Sequence, residues 1–115
     1  MVKKTKSGKT QSIPDNIKEE IEAIVNQFNE KVIRDANCRY VTRYKGSYLY
    51  LDKYNYGRCG PICRLKYTGD MQDWEFAIYK YSSERYDSDD WMFPGSGHTD
   101  GTILGALKAG LEAYP

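Results

Sequence analysis

Cysteine and histidine are scarce in this chain: Cys38, Cys59, Cys63 and His98 are its whole complement. Three cysteines cannot all pair, which argues against a disulfide framework and for a reducing setting. A structural zinc needs four sulfur or imidazole ligands, and the available set is these same four residues, at spacings that fit no ligand knuckle. Neither a metal nor any other cofactor is expected. Long apolar runs are missing as well. Nothing approaches the ~18 residues of a membrane span, and the first residues lack a signal-peptide core, so the expected location is the cytoplasm, with no membrane contact. The third absence is an excess of charge of one sign. The formal charge is +1, yet Lys3, Lys4, Lys6 and Lys9 alone contribute four positive charges within residues 1–11. Without them, 13 basic residues face 16 acidic ones. A general polyanion binder needs a basic surface, so the rest of the chain is not expected to be one.

What the chain has in quantity is tyrosine. There are eleven, most of them between Cys38 and Tyr81, where rings alternate with charges. At 115 residues one domain is expected. Residues 1–11 are polar and basic and read as a flexible tail; residues 12–115 read as a single α+β domain. A helix should open it. Ile17, Ile21, Ile24, Val25, Phe28, Val32 and Ile33 recur at three- and four-residue steps, the period of one apolar helix face. Ser12 stands three residues before Asp15 in a capping pattern, Pro14 suits the first turn, and Asp35-Ala36-Asn37 should end the helix. A second helix should begin near Asp100 or Thr102, with Ile103, Leu107, Leu111 and Tyr114 on one face. Its Gly105 and Gly110 each cost about 1 kcal/mol relative to alanine, which implies a packing reason.

Between the helices the pattern is that of four antiparallel strands. A two-residue turn at Lys45-Gly46 would pair Arg43 with Tyr48, Thr42 with Leu49 and Tyr40 with Leu51. Alternation then places Tyr40, Thr42, Tyr44, Leu49 and Leu51 toward the core, and Arg39, Val41, Arg43, Tyr48, Tyr50 and Asp52 on the other face. Residues 55–61 read as turn. Residues 62–67 form a third strand, with Cys63, Leu65 and Tyr67 on one side. Residues 74–81 form a fourth, with Trp74, Phe76 and Ile78 inward. Residues 82–97 read as a long loop pinned by Trp91, Met92 and Phe93. The expected fold is helix-strand-strand-strand-strand-helix, a four-stranded antiparallel sheet with both helices on one face and the other face open.

That open face is the main candidate site. It collects Arg39, Arg43, Tyr48, Tyr50, Arg64, Lys66, Tyr79 and Tyr81. Three readings fit such a surface. Tyrosine favours strands and stabilises against a cross-strand arginine, which makes a serviceable solvated face. A second copy or another protein could cover it. Single-stranded nucleic acid could also bind it, by stacking bases on the rings and pairing phosphates with the cations. The nucleic-acid reading is not favoured, because the element order is not that of the RNA-recognition fold. The last helix also lacks the lysine cluster that opens the corresponding helix of double-stranded-RNA-binding domains.

The remaining constellations are weaker. Cys59 and Cys63 resemble a redox Cys-Gly-Pro-Cys turn with one residue too many, and all three thiols are expected to be free and buried. His98 and Asp100 sit in a glycine-rich loop with Ser96. Alternating residues on one loop do not easily converge into a triad, and the Walker lysine is missing. A cap and turn is the expected role. Glu84, Asp87, Asp89 and Asp90 lack the spacing of a calcium loop, and a solvated loop is expected there.

The stretch from Trp74-Glu-Phe-Ala-Ile-Tyr through Phe93-Pro-Gly to Ala109-Gly-Leu-Glu-Ala-Tyr-Pro115 resembles small bacterial and archaeal proteins that carry no assigned activity. The resemblance covers roughly forty residues and implies a stand-alone domain of unknown function, with no functional residues to carry over. The expected function is a small binding or interaction module, self-associating through the Tyr/Arg face as a homodimer or meeting a protein partner there. Single-stranded nucleic-acid binding by that face and the lysine tail is the alternative. An enzyme built on the His98 loop comes third, and no catalytic residue is assigned.

Overall fold

The computed structural model describes residues 12–115; the lysine-rich stretch read as a tail lies outside them. Helix α1 spans Asp15–Phe28 and runs on as a π-helical turn over Asn29–Ile33. Five strands follow: β1 (Cys38–Lys45), β2 (Tyr48–Asn55), β3 (Arg58–Lys66), β4 (Glu75–Lys80) and β5 (Arg85–Asp87). A short 3₁₀ turn at Ser96–His98 precedes helix α2, Ile103–Ala113. The fold is α+β, with an antiparallel sheet ordered β1-β2-β3-β4-β5. The sheet has five strands, not four. The extra one lies inside 82–97, the stretch expected to be loop, and pairs Tyr79 with Tyr86.

The first hairpin keeps the expected faces but not the expected turn. Lys45 pairs with Tyr48, Tyr44 with Leu49, Arg43 with Tyr50 and Tyr40 with Lys53. The turn is thus Gly46-Ser47, one residue further on than Lys45-Gly46. Gly46 has φ +60°, and glycine at the first central position is what a type II′ turn requires. Moving the turn by one residue displaces the pairing by two, and a displacement of two keeps every side chain on its face. The second turn is tighter than expected. Tyr56-Gly57 alone makes it, with φ +52° and +88°, and residues 58–61 belong to β3. A bulge between Leu51 and Asp52 in the pairing pits Cys63 against Leu51 but Pro61 against Asp52. Ile62 is the extra residue there and is buried beside Cys63. Proline is tolerated at such a bulge, where the ladder is already interrupted.

Both helices pack on the face that carries Tyr40, Leu49, Leu51, Cys63, Leu65, Phe76 and Ile78. These residues form one buried cluster with Ile21, Val25 and Phe28 of α1 and with Ile103, Ala106, Leu107 and Ala109 of α2. Each fully buried Leu or Ile stabilises the fold by about 1.5–3 kcal/mol relative to exposure. Tyr40 joins the layers: its hydroxyl donates to the Leu107 carbonyl at 2.8 Å. Gly110 admits it, because a Cβ there would lie 2.5 Å from the Tyr40 hydroxyl. The close approach expected of the α2 glycines is therefore real.

Several local expectations are corrected. Ser12 does not cap α1; Pro14 occupies the N-cap and no side chain bonds there. Val32 is exposed, because the π-helical turn changes the helical phase after Phe28. Arg34 then ends the helix in the left-handed region at φ +58°. At α2, Thr102 is the N-cap. It accepts from the Gly105 N–H at 3.0 Å, while Asp100 Oδ1 accepts from the Thr102 N–H at 3.0 Å and hydroxyl at 2.6 Å.

Candidate functional site

The outer face is assembled by strand alternation. Arg43 of β1, Tyr48 and Tyr50 of β2, Arg64 of β3 and Tyr79 of β4 stand opposite one another through the pairs Arg43–Tyr50, Tyr50–Arg64 and Arg64–Ala77. Tyr86 of β5 extends the row beside Tyr79. The rings touch in series. Centroids are 6.2 Å apart for Tyr48–Tyr50, 5.4 Å for Tyr50–Tyr86, 5.0 Å for Tyr86–Tyr79, 4.8 Å for Tyr79–Tyr81 and 5.3 Å for Tyr81–Tyr114. Most are edge-to-face, the arrangement the ring quadrupole favours.

The arginines are built into this row. Arg43 lies 4.4 Å from the Tyr50 centroid and grips Asp52 with two bonds, 2.9 Å from Nε and 3.2 Å from the guanidinium terminus. The Asp52 carboxylate raises the Arg43 pKa further above its ordinary range. Arg64 lies 4.6 Å from the Tyr48 centroid and 5.1 Å from that of Tyr86. Burial pushes the Tyr86 hydroxyl upward and the neighbouring Arg43 opposes that shift. Ala77 is buried beneath this cover although it points outward.

The expected site residues do not all join the row. Arg43, Tyr48, Tyr50, Arg64, Tyr79 and Tyr81 do. Arg39 instead lies over Tyr54, at 4.9 Å. Lys66 stands at the end of the row between Tyr48 and Glu75. Tyr81 is beyond the end of β4 and donates to the Pro61 carbonyl at 2.8 Å. Tyr86 and Tyr114 were not among the candidates. Tyr86 lies in the stretch expected to be loop, although the alternation Tyr79-Lys80-Tyr81 and Arg85-Tyr86-Asp87 on either side of Ser82-Ser83 carries a weak hairpin signal. Tyr114 packs against the core with Leu111, in keeping with the expected face of α2, and its hydroxyl also donates to the Tyr79 carbonyl at 2.6 Å.

Elsewhere the chemistry is sparse. His98 is exposed with Nε2 3.5 Å from Glu112, and Asp100 is occupied as described. Both line a small cavity of about 220 Å³. Of the three thiols only Cys63 is buried, which pushes its pKa well up; Cys38 is half-buried and Cys59 exposed, against the expectation that all three are inside. Cys59 and Cys63 lie on one strand, so the redox-turn likeness has no helical turn to rest on. In the acidic loop Asp90 pairs with Lys80 at 2.6 Å. Among the described residues no three His, Cys, Asp or Glu side chains are grouped to hold a metal ion, and no described helix is long and apolar enough to cross a membrane.

No family model, no curated protein and no solved structure matches this chain.

Proposed function

We propose that the protein is an interaction module whose outer sheet face binds a second copy of the same chain. The observation that carries this is the continuous row of tyrosines with two stacked arginines. Tyrosine and arginine are residues on which interface energy concentrates, the ring because it presents a large stiff surface at small entropic cost and the guanidinium because it offers a planar fork of donors. Here the stiffness is already in place: Arg43 and Arg64 are held by rings and, for Arg43, by Asp52. Little conformational freedom remains to be lost on association. The face carries both signs of charge, with Asp52 and Glu75 among Arg39, Arg43, Arg64 and Lys66. A two-fold contact between identical patches can therefore set acid against base. The same features weigh against single-stranded nucleic acid. Rings packed edge-on against one another and guanidinium groups already on rings and carboxylates offer less to bases and phosphates.

Sedimentation equilibrium of the full chain across concentrations up to about 1 mM, the range of weak but specific association, tests the reading. The expected result is a mass that rises to twice that of the monomer, and an Arg64→Glu variant of unchanged circular dichroism that stays monomeric. A wild-type monomer throughout the range overturns it, as does an oligonucleotide binding this face at low salt while the protein remains monomeric.

A further inference from the structure

A cavity of about 430 Å³ lies at the end of the sheet beneath the C-terminal end of α2. Lys53, Arg58, Cys59, Ile62, Tyr81 and Tyr114 are among its lining residues. That volume falls in the range of small-molecule sites. Among the side chains its charge is one-sided: Lys53 and Arg58 line it and no Asp or Glu does, while the main chain of Pro115 also lines it. Lys53 is only 5% exposed. Charged side chains are rarely buried unless paired, yet among the described residues this ammonium bonds only a backbone carbonyl, that of Tyr114, at 2.6 Å. An ammonium has three donors, so two remain for a guest. The walls are apolar and aromatic, with Tyr81 and Tyr114 meeting edge to face at 5.3 Å.

We propose that this cavity binds a small organic anion, a carboxylate or phosphate monoester on an apolar or aromatic body. Lys53 and Arg58 contact the anion, and Tyr81, Tyr114 and Ile62 hold the body. The buried ammonium is the specificity element, because a neutral guest leaves its donors unmatched. The alternative role for Lys53 is purely structural, a cation placed at the negative end of α2, and it predicts no guest at all.

Amide chemical shifts of the full chain, titrated with benzoate, phenyl phosphate, benzamide and inorganic phosphate, separate these. Benzoate or phenyl phosphate should saturate shifts around Lys53, Arg58, Tyr81 and Tyr114, and which of the two binds more tightly distinguishes carboxylate from phosphate. Benzamide and inorganic phosphate should bind at least about tenfold more weakly, each lacking one half of the guest. Lys53→Met should weaken binding by about ten- to hundredfold. If that variant fails to fold, Arg58→Gln at an exposed position decides, and a severalfold loss is expected. Equal binding of benzamide or of inorganic phosphate, shifts centred elsewhere, no saturation by either aromatic anion, or an unchanged affinity in Arg58→Gln overturns the proposal.

Discussion

The Asn29 carboxamide closes on the backbone of Tyr40 from both sides. Its Nδ2 donates to the Tyr40 carbonyl at 3.0 Å, and its Oδ1 accepts from the Tyr40 N–H at 2.8 Å. Asn29 thus does for one residue of edge strand β1 what a sixth strand would do for all of it, and an edge with satisfied groups is a poor template for strand addition. Asn29→Ala should destabilise the fold by about 1–3 kcal/mol. Urea denaturation followed by circular dichroism measures it; a midpoint equal to that of the wild type would mean the two bonds contribute nothing.

Gly110 inverts the usual effect of removing a helical glycine. In an exposed helix, Gly→Ala stabilises by about 1 kcal/mol. Here the added methyl would meet Ile62 Cγ2 at 2.6 Å and the Tyr40 hydroxyl at 2.5 Å. Gly110→Ala should instead destabilise by about 1–3 kcal/mol, the cost of overpacking. Gly97→Ala, where nothing lies within 4 Å of the new carbon, serves as the neutral reference. Thermal unfolding of the two variants side by side makes the comparison.

Acid should weaken the fold through three carboxylates. Hydrogen bonds from Thr102 lower the Asp100 pKa, the Lys80 ammonium lowers that of Asp90, and the Tyr56 hydroxyl lowers that of Asp35. A carboxyl whose folded pKa lies below its unfolded value of about 3.9 stabilises fully above that value. It loses this contribution as pH falls through the folded pKa. Stability should therefore be insensitive to these groups above about pH 5 and decline below about pH 4. In Asp100→Asn the decline should be shallower. Denaturation midpoints measured against pH would show it.

The thiols should react in the order of their exposure. A thiol-specific alkylating reagent should modify Cys59 first and Cys38 more slowly, leaving Cys63 untouched until the chain unfolds, since burial both shields that sulfur and disfavours its thiolate. Mass spectrometry of peptides from the native and the denatured protein reads the three sites separately.

Much of this architecture is legible in the order of residues, and the failures have physical causes. The apolar stripe of α1 and the alternation of β1 and β2 identify the core, since burial enforces both periods. The turn between β1 and β2 is placed one residue early because Gly46 supplies the positive φ that either register needs, and only the pairing of Lys45 with Tyr48 decides. The fifth strand is concealed at Glu84, which adopts φ +55° without the glycine or asparagine that usually marks such a position. That one residue hides the hairpin and with it Tyr86, the ring that joins Tyr50 to Tyr79. The Ile62 bulge is equally silent: a local excess of one residue leaves no trace in composition. Lys53 obeys the inward alternation of Leu49 and Leu51, yet its charge makes burial the less natural assignment. A buried cation is where pattern and chemistry disagree, and functional sites often lie at such disagreements.

The row of rings from Tyr48 to Tyr114 has an optical consequence. Phenol chromophores fixed a few ångströms apart at steep mutual angles couple their transitions, so their near-ultraviolet circular dichroism depends on how each is turned toward the next. The row begins on the outer face of the sheet, at Tyr48 and Tyr50, and ends at Tyr81 and Tyr114, in the wall of the Lys53 cavity. A change in the setting of any one of these rings alters its coupling to the next. The protein therefore carries an intrinsic, label-free reporter that spans both surfaces.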